Sequence, residues 1–308
     1  MFTPARATHP DARDGRFAPS PTGPLHLGSL RTALLAWLFA RSQSARFLVR
    51  VEDLDPQRSR PEFERRQLDD LLALGLDWDE APVRQSERMP LYEDALARLE
   101  AQGQLYPCFC TRAEIREAAS APHGALPEGS YPGTCRALTE AERLRRRAAG
   151  RPFALRVRAG SERVEFDDRL RGRCGAVVDD FVVRRADGVP AYQLAVVIDD
   201  AAQGVGEIVR GDDLVDSTPR QILLARLLGL PVPRYAHVPL VFGTDGTRLA
   251  KRSRPPTLSE RHEPPAVTLA LLAHTLGLAS DRDRVRRPVE LLAEFDPERL
   301  PREPFVLG

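Results

Sequence analysis

Two distant segments carry residue types suited to phosphate chemistry. The first, SPTGPLHLGSL from Ser20 to Leu30, sets His26-x-Gly28 in a turn rich in proline and glycine; the second, TRLAKR from Thr247 to Arg252, holds Lys251, the sole lysine among 45 Lys and Arg residues. A tight turn ahead of a helix N-terminus offers unpaired N–H groups to phosphate. Gly28 leaves room for a nucleotide to approach the backbone, and His26 can donate a hydrogen bond to a phosphate that gains charge. A compact ammonium can neutralise a leaving pyrophosphate where a planar guanidinium does not fit. Each segment alone also suits an ordinary turn or a solvated side chain. Nucleotide bias would explain the missing lysines, but not the retained one, and the pair together points to ATP.

A second constellation is Cys108-x-Cys110 followed by Tyr131-x3-Cys135. Three thiolates are one ligand short of a tetrahedral structural zinc site. The fourth is Tyr131 or His123, histidine being the commoner zinc ligand. Three of the four cysteines fall in this window and Cys174 stands apart, a spacing that suits a metal in a reducing compartment better than a disulfide framework. Buried thiols without metal are the plain alternative.

These residues must be positioned by a chain of 308 residues with 42% hydrophobic content and a net charge of +1. The length fits one large domain with an insertion, and the balanced charge excludes a global basic field for coating nucleic acid. No apolar run approaches the roughly 20 residues of a membrane span, and Met1 to Asp14 has no signal-peptide pattern, so a cytoplasmic protein is expected.

Around the first motif, a strand near Arg16 to Ala18, a helix with Leu30, Leu34 and Trp37 at helical spacing, and the run RFLVRVEDLD predict strand–helix–strand. Helices are expected from Pro61 to Gly75 and from Met89 to Gln102. From Tyr106 the texture changes to Cys, Pro and Gly. Capping boxes follow at Thr111 and Thr139, then strand-like FALRVR, RVEFDD and a hairpin joining AVVDDFVVRR through Asp187-Gly188 to PAYQLAVVIDD. STPRQILLARLLG, with Ser217 as cap, and AHVPLVFG return to the α/β pattern, and the last segment reads as mostly helical.

RFAPSPTGPLHLGSLRTAL with RVEDLD, YQLAVVIDD, VRGDDLVDSTPRQ and RLAKR resembles the catalytic domain of the class I glutamyl and glutaminyl tRNA synthetases. The first stretch is similar to their HIGH motif, with Ser29 in place of the final His. Arg248 to Arg252 is similar to KMSKS, with Lys251 retained while Arg248, Ala250 and Arg252 replace the other Lys and both Ser. The resemblance implies an α/β fold with a Rossmann-like parallel sheet, a zinc-bearing α+β insertion and a short helical C-terminal tail. It divides the chain into 15–105, the first half of the nucleotide-binding domain; 106–189, the insertion; 190–254, the second half with the KMSKS-like loop; and 255–308, the tail, with no anticodon-binding domain.

The same resemblance implies ATP with Mg²⁺, facing Pro19, His26, Gly28, Ser29 and Lys251, of which His26 and Lys251 would act in catalysis. Glutamate carries two carboxylates and one ammonium, so its pocket needs two cations and an anion. Arg16 matches the family's arginine for the side-chain carboxylate, Arg210 its second arginine, Glu52 the acid for the α-amino group, and Ser20 and Tyr192 the polar lining. The arginine on the first strand favours glutamate over glutamine. Asp199 and Asp200 lie at a predicted strand end and are left outside the site.

Cys-x-Cys with Tyr-x3-Cys, HLGS and the short tail are similar to the glutamyl-Q tRNA(Asp) synthetases, the shortened paralogues of glutamyl-tRNA synthetase. That likeness places one structural zinc on Cys108, Cys110, Tyr131 and Cys135, with Tyr131 ahead of His123. It also implies a monomer without membrane association that acts on the anticodon loop of tRNA(Asp) by attaching glutamate to queuosine. The alternatives are a truncated glutamyl-tRNA synthetase charging the 3′ end of tRNA(Glu), and an inactive RNA-binding paralogue.

Overall fold

The computed structural model describes residues 13–111, 113–115, 131–243, 257–279 and 285–307. Lys251 and its neighbours Arg248, Ala250 and Arg252 lie outside the described residues, as does His123.

Strand β1 (Gly15–Phe17) leads through the proline-rich turn into helix α1 (Leu27–Ser42), and β2 (Phe47–Val51) follows. Gly15 permits this tight return, because a Cβ there would stand 3.2 Å from the Ala40 Cβ on α1. Helix α2 (Pro61–Ala73), strand β3 (Val83–Arg84) and helix α3 (Met89–Ala101) complete the first half. Proline in the first turn of α2 and α3 costs no hydrogen bond, since the leading N–H groups have no partner inside a helix.

The chain then makes a small antiparallel sheet, β4 (Leu105–Cys108), β5 (Ala154–Val157) and β8 (Val182–Arg184), with helix α4 (Glu140–Ala148) between the first two. The Thr139 capping box opens α4 as its sequence predicts. Strands β6 (Arg163–Asp168) and β7 (Gly172–Val177) form a hairpin. Helix α5 (Tyr192–Ala202), β9 (Glu207–Gly211), helix α6 (Thr218–Leu228), β10 (Arg234–Val238) and β11 (Val241–Gly243) follow.

Strands β1, β2 and β3 pair in parallel in the order β1-β2-β3. Strands β9, β10 and β6 also pair in parallel, with β7 antiparallel at the edge. The two pieces meet where the N–H groups of Gly206 and Glu207 donate to the Asp14 carbonyl at 2.9 and 3.2 Å. Strand order therefore runs outward in both directions from β1 and β9. An open α/β sheet leaves a crevice at such a reversal, beyond the carboxyl ends of its strands.

Several local expectations are corrected. YQLAVVIDD is helix α5, not a strand: Leu194 to Asp200 are all buried, so the run has no polar face to reveal its period. Ser217 ends a 3₁₀ turn, Asp212–Ser217, and its side chain makes no cap. AHVPLVFG breaks at Pro239 into β10 and β11. Of the last segment, Pro265–Thr275 is an α-helix (α7), while Pro288–Glu294 and Pro297–Arg299 are 3₁₀ turns. The chain then adds strand β12 (Phe305–Leu307), which pairs in parallel with β11.

Candidate active site

The crevice at the strand reversal is an open cleft of about 410 Å³. Arg16 on β1 and the following loop with Pro19 and Ser20 form one wall. His26, Gly28 and Ser29 at the start of α1 form another, while Glu52 after β2, Tyr192 at the start of α5 and Arg210 on β9 close the floor and far side. Every site residue expected from the sequence for glutamate and ATP, Lys251 apart, thus lines a single cleft. The size suits a small ligand buried on several sides.

The turn before α1 is held by contacts distant in sequence. The buried Gln67 amide donates to the carbonyls of Ser20 and Gly23 at 3.1 and 2.6 Å, and the Glu52 N–H donates to the Pro19 carbonyl at 2.9 Å. His26 is the N-cap of α1: its Nδ1 accepts from the Ser29 N–H at 3.2 Å, and the Ser29 hydroxyl stands 3.1 Å from Nε2. His26 therefore sits at the positive end of a 16-residue helix, where an anion is favoured. The His26 backbone also bridges Thr257, the first described residue after 243. Arg31, buried in α1, donates to the Pro239 carbonyl at 2.6 Å and to Thr275 Oγ1 at 3.2 Å, tying the cleft wall to α7. Burial lowers its pKa to about 10.

The floor is charged, and its arginines are buried. Arg16, 4% exposed, donates from Nε to Asp200 Oδ1 at 3.2 Å, and no partner for its two Nη groups is found among the described residues. Asp200 also accepts from Arg50 Nη1 at 2.7 Å. Arg50 is fully buried: its Nη2 reaches Glu52 at 3.4 Å and its Nε lies 3.8 Å from Asp199. Burial alone would lower the Arg50 pKa, but the combined attraction of Asp200, Glu52 and Asp199 outweighs it and raises the value. Burial tends to raise the Asp200 carboxyl, yet the Arg16 and Arg50 charges hold it below its ordinary range. For Glu52 burial prevails over the same two arginines, and its pKa is raised.

Sequence reasoning missed several of these groups. Arg50 carries a signal, a cation inside an apolar strand, while Asp199 and Asp200, at the end of a predicted strand, could from sequence equally cap the following loop; the structure places both inside helix α5. Asp199 accepts from Gln85, Arg88 and Tyr92 at 2.6–2.8 Å and fixes α5 against α3. Arg210 rests on His237, which comes from a separate strand and had no local signal. The resulting cleft presents two buried guanidiniums and the Glu52 carboxylate beside a helix N-terminus, with Asp213 also in the lining, a set suited to a zwitterion with an extra carboxylate next to a polyphosphate.

A second cluster lies in the small antiparallel sheet. The sulfurs of Cys108, Cys110 and Cys135 are all within 4.8 Å of one another. Cys110 and Cys135 are 3.4 Å apart, and the Tyr131 hydroxyl stands 3.4 Å from Cys108 and 3.9 Å from Cys110. A tetrahedron of sulfurs at about 2.3 Å from zinc has edges of about 3.8 Å, so the three sulfurs are compatible with that ion, with the Tyr131 hydroxyl beside them. The hydrogen bond between Cys108 and Cys135 pulls the Cys108 thiol down and pushes the Cys135 thiol up, so without an ion the pair favours one thiolate and one thiol. The Arg156 guanidinium lies 3.7 Å over the Tyr131 ring.

Residues 14–289 match the family described as tRNA synthetases class I (E and Q), catalytic domain. The chain is 60% identical over 296 residues to a glutamyl-Q tRNA(Asp) synthetase from Nocardia farcinica, covering 95% of this chain and 92% of that one. It is 52% identical over 305 residues to the protein of the same description from Symbiobacterium thermophilum, covering 94% of each. Its fold superposes with a TM-score of 0.83, at 27% identity, on a crystal structure of a glutamate tRNA ligase from Elizabethkingia meningosepticum in complex with its amino acid. That match covers 97% of this chain and 67% of the other. No helix among the described residues is long and apolar enough to cross a membrane.

Proposed function

The chain belongs to the class I tRNA synthetases (E and Q), a ligase family, and groups with their glutamyl-Q tRNA(Asp) members; from that premise we propose that it activates L-glutamate with ATP and transfers it to queuosine in the anticodon loop of tRNA(Asp). In this reading Arg16 receives the side-chain carboxylate and Arg210 the second carboxylate contact. Glu52 receives the ammonium, and Ser20 and Tyr192 complete the lining. Pro19, His26, Gly28, Ser29 and Lys251 face ATP. An α-carboxylate oxygen attacks the α-phosphorus, the bond to the β,γ-diphosphate breaks, and pyrophosphate leaves. A queuosine hydroxyl then attacks the activated carbonyl, its proton is released, and AMP leaves. His26, the α1 N-terminus and Lys251 stabilise the charge that spreads over the phosphates; Mg²⁺ bound with ATP would offset part of it. No residue forms a covalent bond to substrate, so alignment and fixed charge supply the rate gain.

The observation that carries this reading is the convergence of two buried guanidiniums, Arg16 and Arg210, with Glu52 in the cleft that the α1 N-terminus borders. Its test is labelled glutamate with ATP and purified tRNA(Asp), with and without queuosine, followed by nuclease mapping. Label is expected on the anticodon fragment of the queuosine-containing tRNA alone. Label at the 3′ end of tRNA(Glu) would replace the acceptor assignment, and absence of glutamate-dependent pyrophosphate exchange would remove the whole reading.

We further propose that Cys108, Cys110, Tyr131 and Cys135 hold one structural Zn²⁺, whose charge would keep the thiolates ionised and tie the β4 end to the segment before α4. Cys110→Ser is expected to weaken zinc retention by at least about 10–100-fold and to lower the melting temperature. Metal analysis after dialysis against a chelator, with thermal unfolding alongside, checks this; equal zinc content in variant and parent would reject it.

A further inference from the structure

Arg210 is not free to turn. It is 4% exposed; its Nε donates to His237 Nε2 at 3.0 Å and its Nη2 donates to Thr218 Oγ1 at 2.7 Å and to the Leu214 carbonyl at 3.4 Å. Nη1 is buried and has no partner among the described residues, while the residue as a whole lines the cleft. One nitrogen, Nη1 with its two N–H groups, is thus left to a ligand, and the contacts of the other two nitrogens fix the guanidinium plane.

The acceptor that holds Nε works only in one protonation state. His237, wholly buried on β10, stands with Nδ1 2.6 Å from Asp168 Oδ2. Asp168, at the end of β6, is itself pinned by the N–H groups of Leu170 and Arg171, each 3.0 Å from Oδ1, and by the His237 N–H at 3.1 Å from Oδ2. A carboxylate there draws the imidazole proton to Nδ1 and leaves Nε2 as a lone-pair acceptor facing Arg210. Burial, and after it the Asp168 hydrogen bond acting the other way, leave the His237 pKa lowered, so the ring is neutral near pH 7. The other groups around the ring are Asp212, Thr218, Tyr235, stacked on it at 5.9 Å, and Phe166, edge-on at 6.2 Å.

We propose that Asp168 and His237 are positioning residues: by fixing the imidazole tautomer they aim the unpartnered Nη1 of Arg210 into the cleft and so set the affinity for the amino-acid substrate. This rests on the reading of Arg210 as a carboxylate ligand. Asp168 and His237 come from strands β6 and β10, which pair in parallel beside β9, so the relay runs across three neighbouring strands into the cleft.

Asp168→Asn keeps the shape and offers an amide donor, which drives the proton to Nε2 and turns it against the Arg210 N–H. The expected result in glutamate-dependent pyrophosphate exchange is a KM for glutamate raised about tenfold or more, with KM for ATP unchanged and kcat little altered. His237→Gln, whose amide oxygen can take the place of Nε2, is expected to keep most of the glutamate affinity, whereas His237→Leu is expected to lose it as Asp168→Asn does. Circular dichroism establishes that each variant is folded, and should Asp168→Asn fail to fold, the His237→Gln and His237→Leu contrast decides. Arg210→Gln separates the two assumptions. If it raises KM for glutamate while Asp168→Asn and His237→Leu do not, the relay is overturned and the function stands. If none of the variants changes KM for glutamate, the assignment of Arg210 falls and the relay with it.

Discussion

Replacing Arg50 by Met is expected to destabilise the protein by about 3–5 kcal/mol and to move the acid limb of glutamate activation to higher pH. Arg50 is fully buried and faces three carboxylates, Asp200, Glu52 and Asp199, at 2.7, 3.4 and 3.8 Å. Methionine fills similar space without charge. Exchanging a whole buried ion pair for apolar groups can be neutral, but removing one partner strands the other in a medium that cannot solvate it. Asp200 retains Arg16 and Asp199 retains Arg88, so Glu52 bears most of the loss.

The Glu52 pKa is already raised, burial outweighing Arg50 and Arg16. A raised acid binds protons more tightly in the folded state. Its stabilising contribution is therefore present below the ordinary glutamate pKa and is lost as pH rises through the raised value. Function runs the other way, since only the carboxylate can hold an ammonium, so glutamate binding grows over that same rise. Arg50→Met lifts the Glu52 pKa further and pushes the rise toward neutral pH. Thermal unfolding and the pH dependence of kcat/KM for glutamate in pyrophosphate exchange measure the two effects. An unchanged melting temperature together with an unchanged acid limb would show that Arg50 does not support Glu52.

The parts of this arrangement that the sequence reveals are those with local period or composition. α1 shows its apolar spacing, β2 its β-branched run closed by acids, and the Cys-x-Cys segment its ligand types. The rest depends on long-range packing. Helix α5 carries Val196, Val197 and Ile198 in a run buried on all sides, which is as strand-like as it is helical. Read as a strand, it leaves Asp199 and Asp200 as caps for the following loop, whereas from the helix they face the arginines of the floor. His237 and Asp168 are 69 residues apart and meet only because β10 and β6 are neighbours in the sheet. Arg50 shows the opposite case: a cation between Val49 and Val51 in a central strand demands a buried partner, and that demand alone could have located the acidic cluster.

Lys251→Ala is expected to slow glutamate-dependent pyrophosphate exchange by about 10²–10³-fold while changing the KM for glutamate only modestly. Lys251 itself lies outside the described residues, but the chain on either side of it is fixed at the cleft. Val241 of β11 lines the cleft, and β11 is paired with β12 through Val241 and Phe305. On the other side Thr257 bridges the backbone of His26, and Leu258 is buried in the core that α1 shares. The described chain thus stops at Gly243, just after the cleft-lining Val241, and resumes at Thr257 beside His26, the residue proposed to face ATP. In the proposed role the Lys251 charge meets phosphate and not the amino acid, so kcat should fall and glutamate affinity should not. Lys251→Arg keeps the charge but spreads it over a planar fork, and is expected to recover only part of the rate, in keeping with a chain that uses arginine at its other basic positions. Full activity in Lys251→Ala would end the case for lysine at this step. Full activity in Lys251→Arg would leave its retention without a chemical reason.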